Sequence, residues 1–251
     1  LHDRAMNASN DMADRKQMLQ DALMAQRKML IDATGKRGED IPQAFTPYKE
    51  VLDVYDEGLE LPDDVTIIWP DDNYGYMKRL SSPKEQKRSG RSGVYYHSSY
   101  LGKPHDHLWM NTTSPTLMYE ELRKAYDMTA DRIWLLNAGD IKSCEFAVDF
   151  FLSMAYDIDS FNFDRAATYR TEWLCGMLGD EYRNEYQDVI NSFYKLAFAR
   201  RPEFMGWGYQ WATDKHGRER NTDTDFSLTN YREVDSRLSE YRRIGSITEK
   251  I

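Results

Sequence analysis

The chain has 251 residues, of which 41% are hydrophobic and 13% aromatic, so it carries enough apolar surface for a packed core. The formal net charge of −9 argues against a general nucleic-acid-binding role, which requires excess positive charge on the contact face. No apolar run approaches the roughly 18 residues that a membrane-spanning helix needs. Cys144 and Cys175 have no metal-like spacing, and we expect two buried or inert thiols.

Helices and strands are predicted in alternation over the first part of the chain. Apolar residues at helical spacing predict a helix over residues 10–33, with Ser9 or Asn10 as its cap and Gly35 just past its end. Short apolar runs bounded by turn formers predict buried strands. The predicted strands cover residues 43–48, 65–69, 93–97 and 132–136, and further helices cover residues 51–55, 114–126 and 144–155. The basic, polar residues 78–91 predict a loop.

Strands that alternate with helices at this spacing indicate parallel βα units. Four strands are too few for a closed (βα)8 barrel, and we expect a fifth just before Asp3. Because the chain begins at Leu1 without an initiator methionine or signal peptide, we also expect an excised fragment. The sequence therefore predicts an α/β fold over residues 1–157, namely the second half of a (βα)8 TIM-type barrel.

An α-helical bundle domain, incomplete and without strands, is predicted over residues 158–251. Apolar residues recur there at helical spacing around residues 173–177, 182–197 and 228–241. Residues 215–224 predict a polar connector.

Polar and aromatic side chains follow the C-terminal ends of the predicted strands, whereas the strands themselves are apolar. In parallel sheets and barrels, ligands bind where strands lead into loops. We therefore expect one pocket at this rim. The side chains that we place there are Asp3, Glu50, Asp71, Asp72, Asn73, Tyr95, His97, Tyr100, Asn137 and Asp140.

Several of these residues also have a plainer interpretation. Glu50 could simply begin a helix, where the helix dipole favours a carboxylate. Asp71 and Asp72 are adjacent, so on an extended backbone they point in opposite directions, and we expect one of them to fix the loop. His97 could be a hydrogen-bonded core histidine, and Asn137 could be a turn former.

The chemistry of the predicted rim points to a carbohydrate ligand. The chain contains no GxSxG, CxxC, HExxH or phosphate-binding loop. Carboxylates, tyrosines, asparagines and a histidine instead suit polyhydroxylated ligands and acid–base catalysis, as in glycosidases. The basic loop is either a solvated surface or a mobile cover in which Arg79 approaches an anionic substrate, and Trp109 could be a sugar platform.

Five segments of the chain follow the order and spacing of a known family across residues 1–155. They are Tyr48-Lys49-Glu50-Val51, Pro62-Asp63-Asp64-Val65-Thr66, Trp69-x-Asp71-Asp72-Asn73-x-Gly75, Tyr95-Tyr96-His97-x-x-Tyr100 and Leu136-Asn137-x-Gly139-Asp140-x-Lys142-x-x-Glu145. Together they resemble glycoside hydrolase family 115, the xylan α-1,2-glucuronidases. Arg200-Arg201-Pro202-Glu203 is similar to the helical domain after the barrel of that family. Tyr76, Ser99 and His105 depart from the residues that many relatives have at the pocket rim.

The resemblance implies an inverting glycoside hydrolase that removes α-1,2-linked glucuronic acid or its 4-O-methyl form from xylan, without a cofactor or a metal. By motif position Glu50 matches the catalytic glutamate of the family. The second carboxyl lies upstream of Leu1 or, as the fallback within the chain, is Asp71. Asn73, Tyr95, His97, Tyr100 and Asn137 match pocket residues, Asp3 looks like a further substrate contact, and we add Asp72 to this set.

The partners that the resemblance implies are glucuronoxylan or glucurono-xylooligosaccharides, with no nucleic acid and no membrane. A homodimer stays open, and a periplasmic or secreted location is expected. Two rival functions are retained. A carbohydrate-binding protein could keep the pocket without turnover, and a metal-dependent hydrolase could use Asp71 and Asp72.

Overall fold

The structure is a computed structural model that describes residues 11–102, 105–108, 110–204, 209–213, 219–223 and 233–251. Its α-helices and strands alternate through the first part of the chain, except that the strands Thr66–Pro70 and Ser92–His97 have no α-helix between them. In chain order they are α1 Met12–Thr34, β1 Ala44–Phe45, α2 Glu50–Asp56, β2 Thr66–Pro70, β3 Ser92–His97, α3 Pro115–Asp127, β4 Ala130–Asn137, α4 Ile141–Tyr156, α5 Phe163–Leu178, α6 Arg183–Ala199, β5 Tyr209–Thr213, β6 Glu219–Asp223 and α7 Glu233–Thr248.

A four-stranded sheet in the order β1-β2-β3-β4 lies at the centre of this alternation. β1 pairs with β2, and β2 with β3, in parallel, with Phe45 opposite Ile67 and Pro70 opposite Tyr95. β2 is buried along nearly its whole length, as its continuous apolar run predicts. The four predicted strands are present, although β1 is only two residues long, and the α/β class is confirmed.

The chain folds into two compact units. The first contains the described residues within Leu1–Asp71, Met77–Tyr95 and Lys124–Leu135, and the second contains those within Asp72–Tyr76, Tyr96–Arg123 and Leu136–Ile251. The predicted domain boundary between residues 157 and 158 stays a prediction.

In the first unit, α1 covers an apolar cluster formed by β1, α2 and the approach to β2. The cluster consists of Phe45, Val51, Val54, Leu59 and Val65, against which Met12, Leu19 and Leu23 of α1 pack. The three side chains of α1 are only partly buried there, so each contributes less than the roughly 1.5–3 kcal/mol of a fully buried apolar side chain. Arg27 of α1 adds a bidentate ion pair with Asp64, with both nitrogen–oxygen distances at 2.9 Å.

The ends of α1 follow the expected chemistry, with one correction. The helix is capped by Asp11, whose carboxylate accepts a hydrogen bond from the amide of Ala13 at 3.0 Å. The predicted caps, Ser9 and Asn10, lie outside the described residues. Gly35 ends the helix with φ 67°, a left-handed conformation that glycine adopts without strain, so the predicted end is confirmed.

In the second unit, α5, α6 and α7 pack together. Cys175 of α5 and Tyr186, Ile190 and Tyr194 of α6 form a buried cluster. Arg237 of α7 is 5% exposed and donates hydrogen bonds to the carbonyl oxygens of Leu196 and Arg200 at 3.0 and 2.7 Å. The Leu196 carbonyl also accepts a hydrogen bond from the amide of Arg200 at 3.1 Å, and Arg237 adds a second donor at this helix end, so α7 stabilises the end of α6.

The expectation that no strand follows residue 157 is wrong. β5 and β6 form an antiparallel pair, with Tyr209 opposite Asp223 and Thr213 opposite Glu219. β5 has tyrosine, tryptophan and threonine at alternate positions, which is a strand pattern, but β6 is polar throughout. The polar strand is held by backbone pairing with its neighbour, which no side-chain pattern reveals.

Cys144 and Cys175 are both buried and neither is part of a disulfide, which confirms the expectation of buried thiols. No helix in the described part of the chain is long and apolar enough to cross a bilayer.

Candidate active site

Glu50 is the first residue of α2 and is exposed. The plainer interpretation, that Glu50 begins a helix, therefore holds, and an exposed carboxylate at a helix start is also open to a ligand. The preceding residue, Lys49, has φ 53° and ψ −124°, a conformation that residues other than glycine rarely adopt. Strained backbone of this kind concentrates at active and binding sites, so the turn at Lys49 favours a functional role for Glu50.

Tyr48 precedes this turn and packs edge-on against Tyr95 of β3, with ring centroids 5.8 Å apart. Asp71 follows β2 and is 5% exposed, and its amide donates a hydrogen bond to the carbonyl of Tyr95 at 3.0 Å. The first unit thus carries Glu50, Asp71 and Tyr95 of the predicted set. Tyr48 is absent from that set, although an aromatic ring at a strand end two residues before Glu50 is a usable sequence signal.

In the second unit, residues Asp72–Tyr76 form a loop, called the Asp72 loop below. One carboxylate oxygen of Asp72 accepts hydrogen bonds from the amides of Tyr74 and Tyr76 at 3.0 and 3.1 Å. Asp72 therefore fixes the loop, which is the role expected for one of the two adjacent carboxylates, while its contact with substrate stays a prediction. Asn73 has φ 73°, in the left-handed region that asparagine tolerates better than most residues.

The C-terminal ends of β3 and β4 supply the other predicted residues of the second unit. His97 and Tyr100 are 1% and 6% exposed, and their rings meet edge-on with centroids 5.7 Å apart. The carbonyl of Asn137 accepts hydrogen bonds from the amide and the hydroxyl of Ser98 at 3.0 and 3.1 Å. His97 is thus packed as a core histidine would be, and its role toward a ligand stays a prediction.

The predicted residues are divided between the two units, and the convergence of Glu50 with Asn73, His97 and Asn137 on one cavity stays a prediction. Asp3 and Trp109 lie outside the described residues. Over the described ranges, no group of three or more His, Cys, Asp or Glu side chains is arranged to hold a metal ion.

Arg79 forms ion pairs and a cation–π contact within the first unit. Its guanidinium lies 4.4 Å from the centroid of the Trp69 ring and 2.7 Å from the Glu85 carboxylate, with Asp56 at 3.4 Å. Burial alone would raise the pKa of Glu85, but hydrogen bonds, that from Arg79 first among them, outweigh burial and lower the pKa to about 2. The interpretation of Arg79 as a mobile cover for an anionic substrate is therefore not supported.

Two residues outside the predicted set contact the Asp72 loop. His107 lies 2.7 Å from the carbonyl oxygen of Asn73, and Arg201 donates a hydrogen bond to the carbonyl of Tyr74 at 2.8 Å. Burial first, and then the positive charge of Arg201, lower the pKa of His107 from its usual 6.5 to about 3. His107 is therefore a neutral imidazole at physiological pH.

The family model for glycosyl hydrolase family 115 matches residues 1–204 of the chain. Among solved structures, a family GH115 4-O-methyl-alpha-glucuronidase, BtGH115A, described as having specificity for decorated arabinogalactans, is 37% identical with a TM-score of 0.86. That match covers 97% of this chain and 32% of the other, so this chain spans about a third of the length of that protein. A search of curated proteins found no match. Because the family match covers most of its length, the chain belongs to glycosyl hydrolase family 115.

Proposed function

We propose that the chain carries active-site residues of an inverting α-glucuronidase that removes α-1,2-linked glucuronic acid, or its 4-O-methyl form, from xylan. The observation that supports this most strongly is the similarity, over 97% of the chain, to a 4-O-methyl-alpha-glucuronidase. Because the chain spans 32% of that protein, the activity is proposed for the intact protein, and every experiment below uses it.

Glu50 is proposed as one of the two catalytic carboxyl groups. Its exposure and the strained turn before it support this role. An inverting glycosidase holds its two carboxyl groups about 6.5–9.5 Å apart, so that one protonates the leaving oxygen while the other activates a water molecule. Asp71 is the candidate for the second group within this chain. Asp72 suits that role less well, because its carboxylate already accepts two amide hydrogen bonds.

The remaining predicted residues are proposed as substrate contacts. Amide, phenol and imidazole groups donate and accept hydrogen bonds with sugar hydroxyls and with a uronic-acid carboxylate. The residues to which we assign this role are Asp3, Asp72, Asn73, Tyr95, His97, Tyr100 and Asn137.

The test compares release of uronic acid from glucuronoxylan by the wild type and by Glu50→Gln. Loss of general acid or base catalysis is expected to reduce kcat by about 10²–10⁴-fold. Glu57→Gln is the matched control, because Glu57 is an exposed carboxylate directly after the other end of α2. Unchanged release by Glu50→Gln would end the assignment of Glu50, and equal loss in both variants would point to damage to α2.

Inversion is tested by proton NMR of the first uronic acid released. An inverting enzyme acting on an α-linkage releases the β-anomer first, and mutarotation follows. First appearance of the α-anomer would contradict inversion and would require a covalent intermediate.

A second candidate substrate is a decorated arabinogalactan, for which BtGH115A is described as specific. Xylan and arabinogalactan differ in the sugar that carries the glucuronic acid, so the two are separated by comparing kcat/KM on both polymers. Release from arabinogalactan alone would move the proposal from xylan to that polymer, while the glucuronidase activity would stand.

The rival functions are separated by binding and chelation. Calorimetric binding of aldouronic acids without product after long incubation would favour a carbohydrate-binding protein. Activity that disappears with a chelator and returns with a divalent metal would favour a metal-dependent hydrolase that uses Asp71 and Asp72. The homodimer and the periplasmic or secreted location stay predictions.

A further inference from the structure

The backbone of the Asp72 loop is held by donors from distant parts of the second unit. The carbonyl oxygen of Asn73 lies 2.7 Å from Nε2 of His107, and the carbonyl of Tyr74 accepts a hydrogen bond from Nη2 of Arg201 at 2.8 Å. A carbonyl oxygen only accepts hydrogen bonds, so Nε2 of His107 carries the proton. Both donors therefore act on the peptide units on either side of the Tyr74 Cα.

The next two carbonyl oxygens of the loop are also occupied. The carbonyl of Gly75 accepts a hydrogen bond from the hydroxyl of Tyr96 at 2.9 Å, and that of Tyr76 accepts one from the amide of Asp72 at 2.9 Å. Four consecutive carbonyls, from Asn73 to Tyr76, thus have defined partners. A loop held in this way has little freedom to change the direction of its side chains.

The hydrogen bond from His107 helps to hold Asn73 in a left-handed backbone conformation. Asn73 has φ 73°, in the left-handed region that costs most residues with a side chain roughly 1–2 kcal/mol and asparagine less. His107 is 2% exposed and packs between aromatic rings, with the Tyr74 and Tyr100 ring centroids 5.5 and 6.5 Å away. The donor on Asn73 is therefore fixed in place by packing.

The hydrogen-bond acceptors of Arg201 are neutral groups. Its Nη1 donates to the hydroxyls of Thr112 and Thr113 at 2.5 and 3.2 Å, in addition to the bond from Nη2 to the Tyr74 carbonyl. Within the described part of the chain, no carboxylate lies within ion-pair distance of Arg201. The partly buried guanidinium of Arg201 binds two hydroxyls and a carbonyl, and the geometry of its fork ties three segments together.

We propose that His107 and Arg201 are positioning residues that hold the Asp72 loop so that the side chain of Asn73 meets the sugar acid. The role of Asn73 in this inference rests on the proposed function, whereas the hydrogen bonds that hold the loop do not. It adds two residues that act through the backbone, neither of which is assigned a contact with substrate.

Amide hydrogen exchange in the intact protein tests the hydrogen bonds that hold the Asp72 loop, and it requires no activity assay. His107→Phe keeps a ring and removes the donor, whereas His107→Gln keeps an N–H group. Loss of one hydrogen bond is expected to speed exchange at the Tyr74 and Tyr76 amides by about 10-fold in His107→Phe, with His107→Gln close to the wild type. Unchanged exchange in α6 shows that the fold persists. Exchange in the loop that is equal in all three proteins would overturn the proposal.

The role toward Asn73 is tested by a double-mutant cycle on kcat/KM. Asn73→Asp keeps the tolerance for left-handed backbone but removes the amide donor. His107→Phe is expected to lower kcat/KM by about 10²-fold in the wild type. The decrease is expected to be much smaller in the Asn73→Asp protein, because that protein already lacks the amide donor that His107 would position. Equal losses in both backgrounds would show that His107 does not act through Asn73. If the wild type releases no uronic acid, the proposed function fails, and hydrogen exchange still decides the hold on the loop.

Discussion

Replacement of His107 by glutamine is expected to reduce the loss of stability when the pH falls from 7 to 5. In the folded protein burial lowers the pKa of His107 to about 3, while the unfolded chain keeps a value near 6.5. Between these two values the unfolded state binds the proton more readily. Stability from this group is therefore fully present above pH 6.5 and is lost as the pH falls toward 3.

The size of the effect follows from the two pKa values. At pH 5 the solution is about 1.5 pH units below the unfolded pKa, and each unit corresponds to about 1.36 kcal/mol, so the wild type loses about 2 kcal/mol through His107. Glutamine does not titrate, so the variant lacks this loss. The chain has five histidines, and the other four are common to both proteins.

Urea unfolding of the intact wild type and of His107→Gln, each at pH 7 and pH 5, measures the difference directly. The gap in unfolding free energy between the two proteins is expected to shift by about 2 kcal/mol in favour of the variant at pH 5. A gap that does not change with pH would refute the reasoning, because it would mean that His107 is protonated as easily in the folded state as in the unfolded state.

Three further changes test the local geometry. Gly35→Ala introduces a side chain at φ 67° into open space, so the free energy of unfolding is expected to fall by about 1 kcal/mol, the strain alone. Gly75→Ala places a side chain at φ 99° with its new Cβ 2.8 Å from the Tyr96 hydroxyl. The free energy of unfolding in urea should therefore fall by more than in Gly35→Ala, and an equal decrease would contradict the clash. Glu85→Gln removes the carboxylate charge that forms an ion pair with Arg79. Because the pKa of Glu85 is lowered from 4.5 to about 2, the wild-type advantage is present above pH 4.5 and shrinks toward pH 2, and a gap constant with pH would contradict the ion pair.

Local patterns in the sequence were sufficient for most of the α/β architecture. The apolar run over residues 65–69 corresponds to β2, Thr66–Pro70, because a strand buried on both faces needs no alternation. Glycine just past a helical repeat marked the end of α1 because left-handed backbone favours it. β6 was missed because a polar strand held by a neighbouring backbone carries no such pattern.

The hold on the Asp72 loop could not be predicted, because its donors are remote in the chain. His107 is 34 residues from Asn73, and Arg201 is 127 residues from Tyr74. No sequence motif around either residue predicts a hydrogen bond to a backbone carbonyl. The role of Asp72 in fixing its own loop could be predicted, because two adjacent carboxylates on an extended backbone point in opposite directions.

The most direct test of the account is a crystal structure of the intact protein with glucuronic acid bound. We expect one bound sugar with the Glu50 carboxylate at its anomeric carbon and with Asn73, His97 and Asn137 in contact with the same ring. A sugar held by the other three residues with Glu50 outside contact distance would contradict the assignment of Glu50 as a catalytic group.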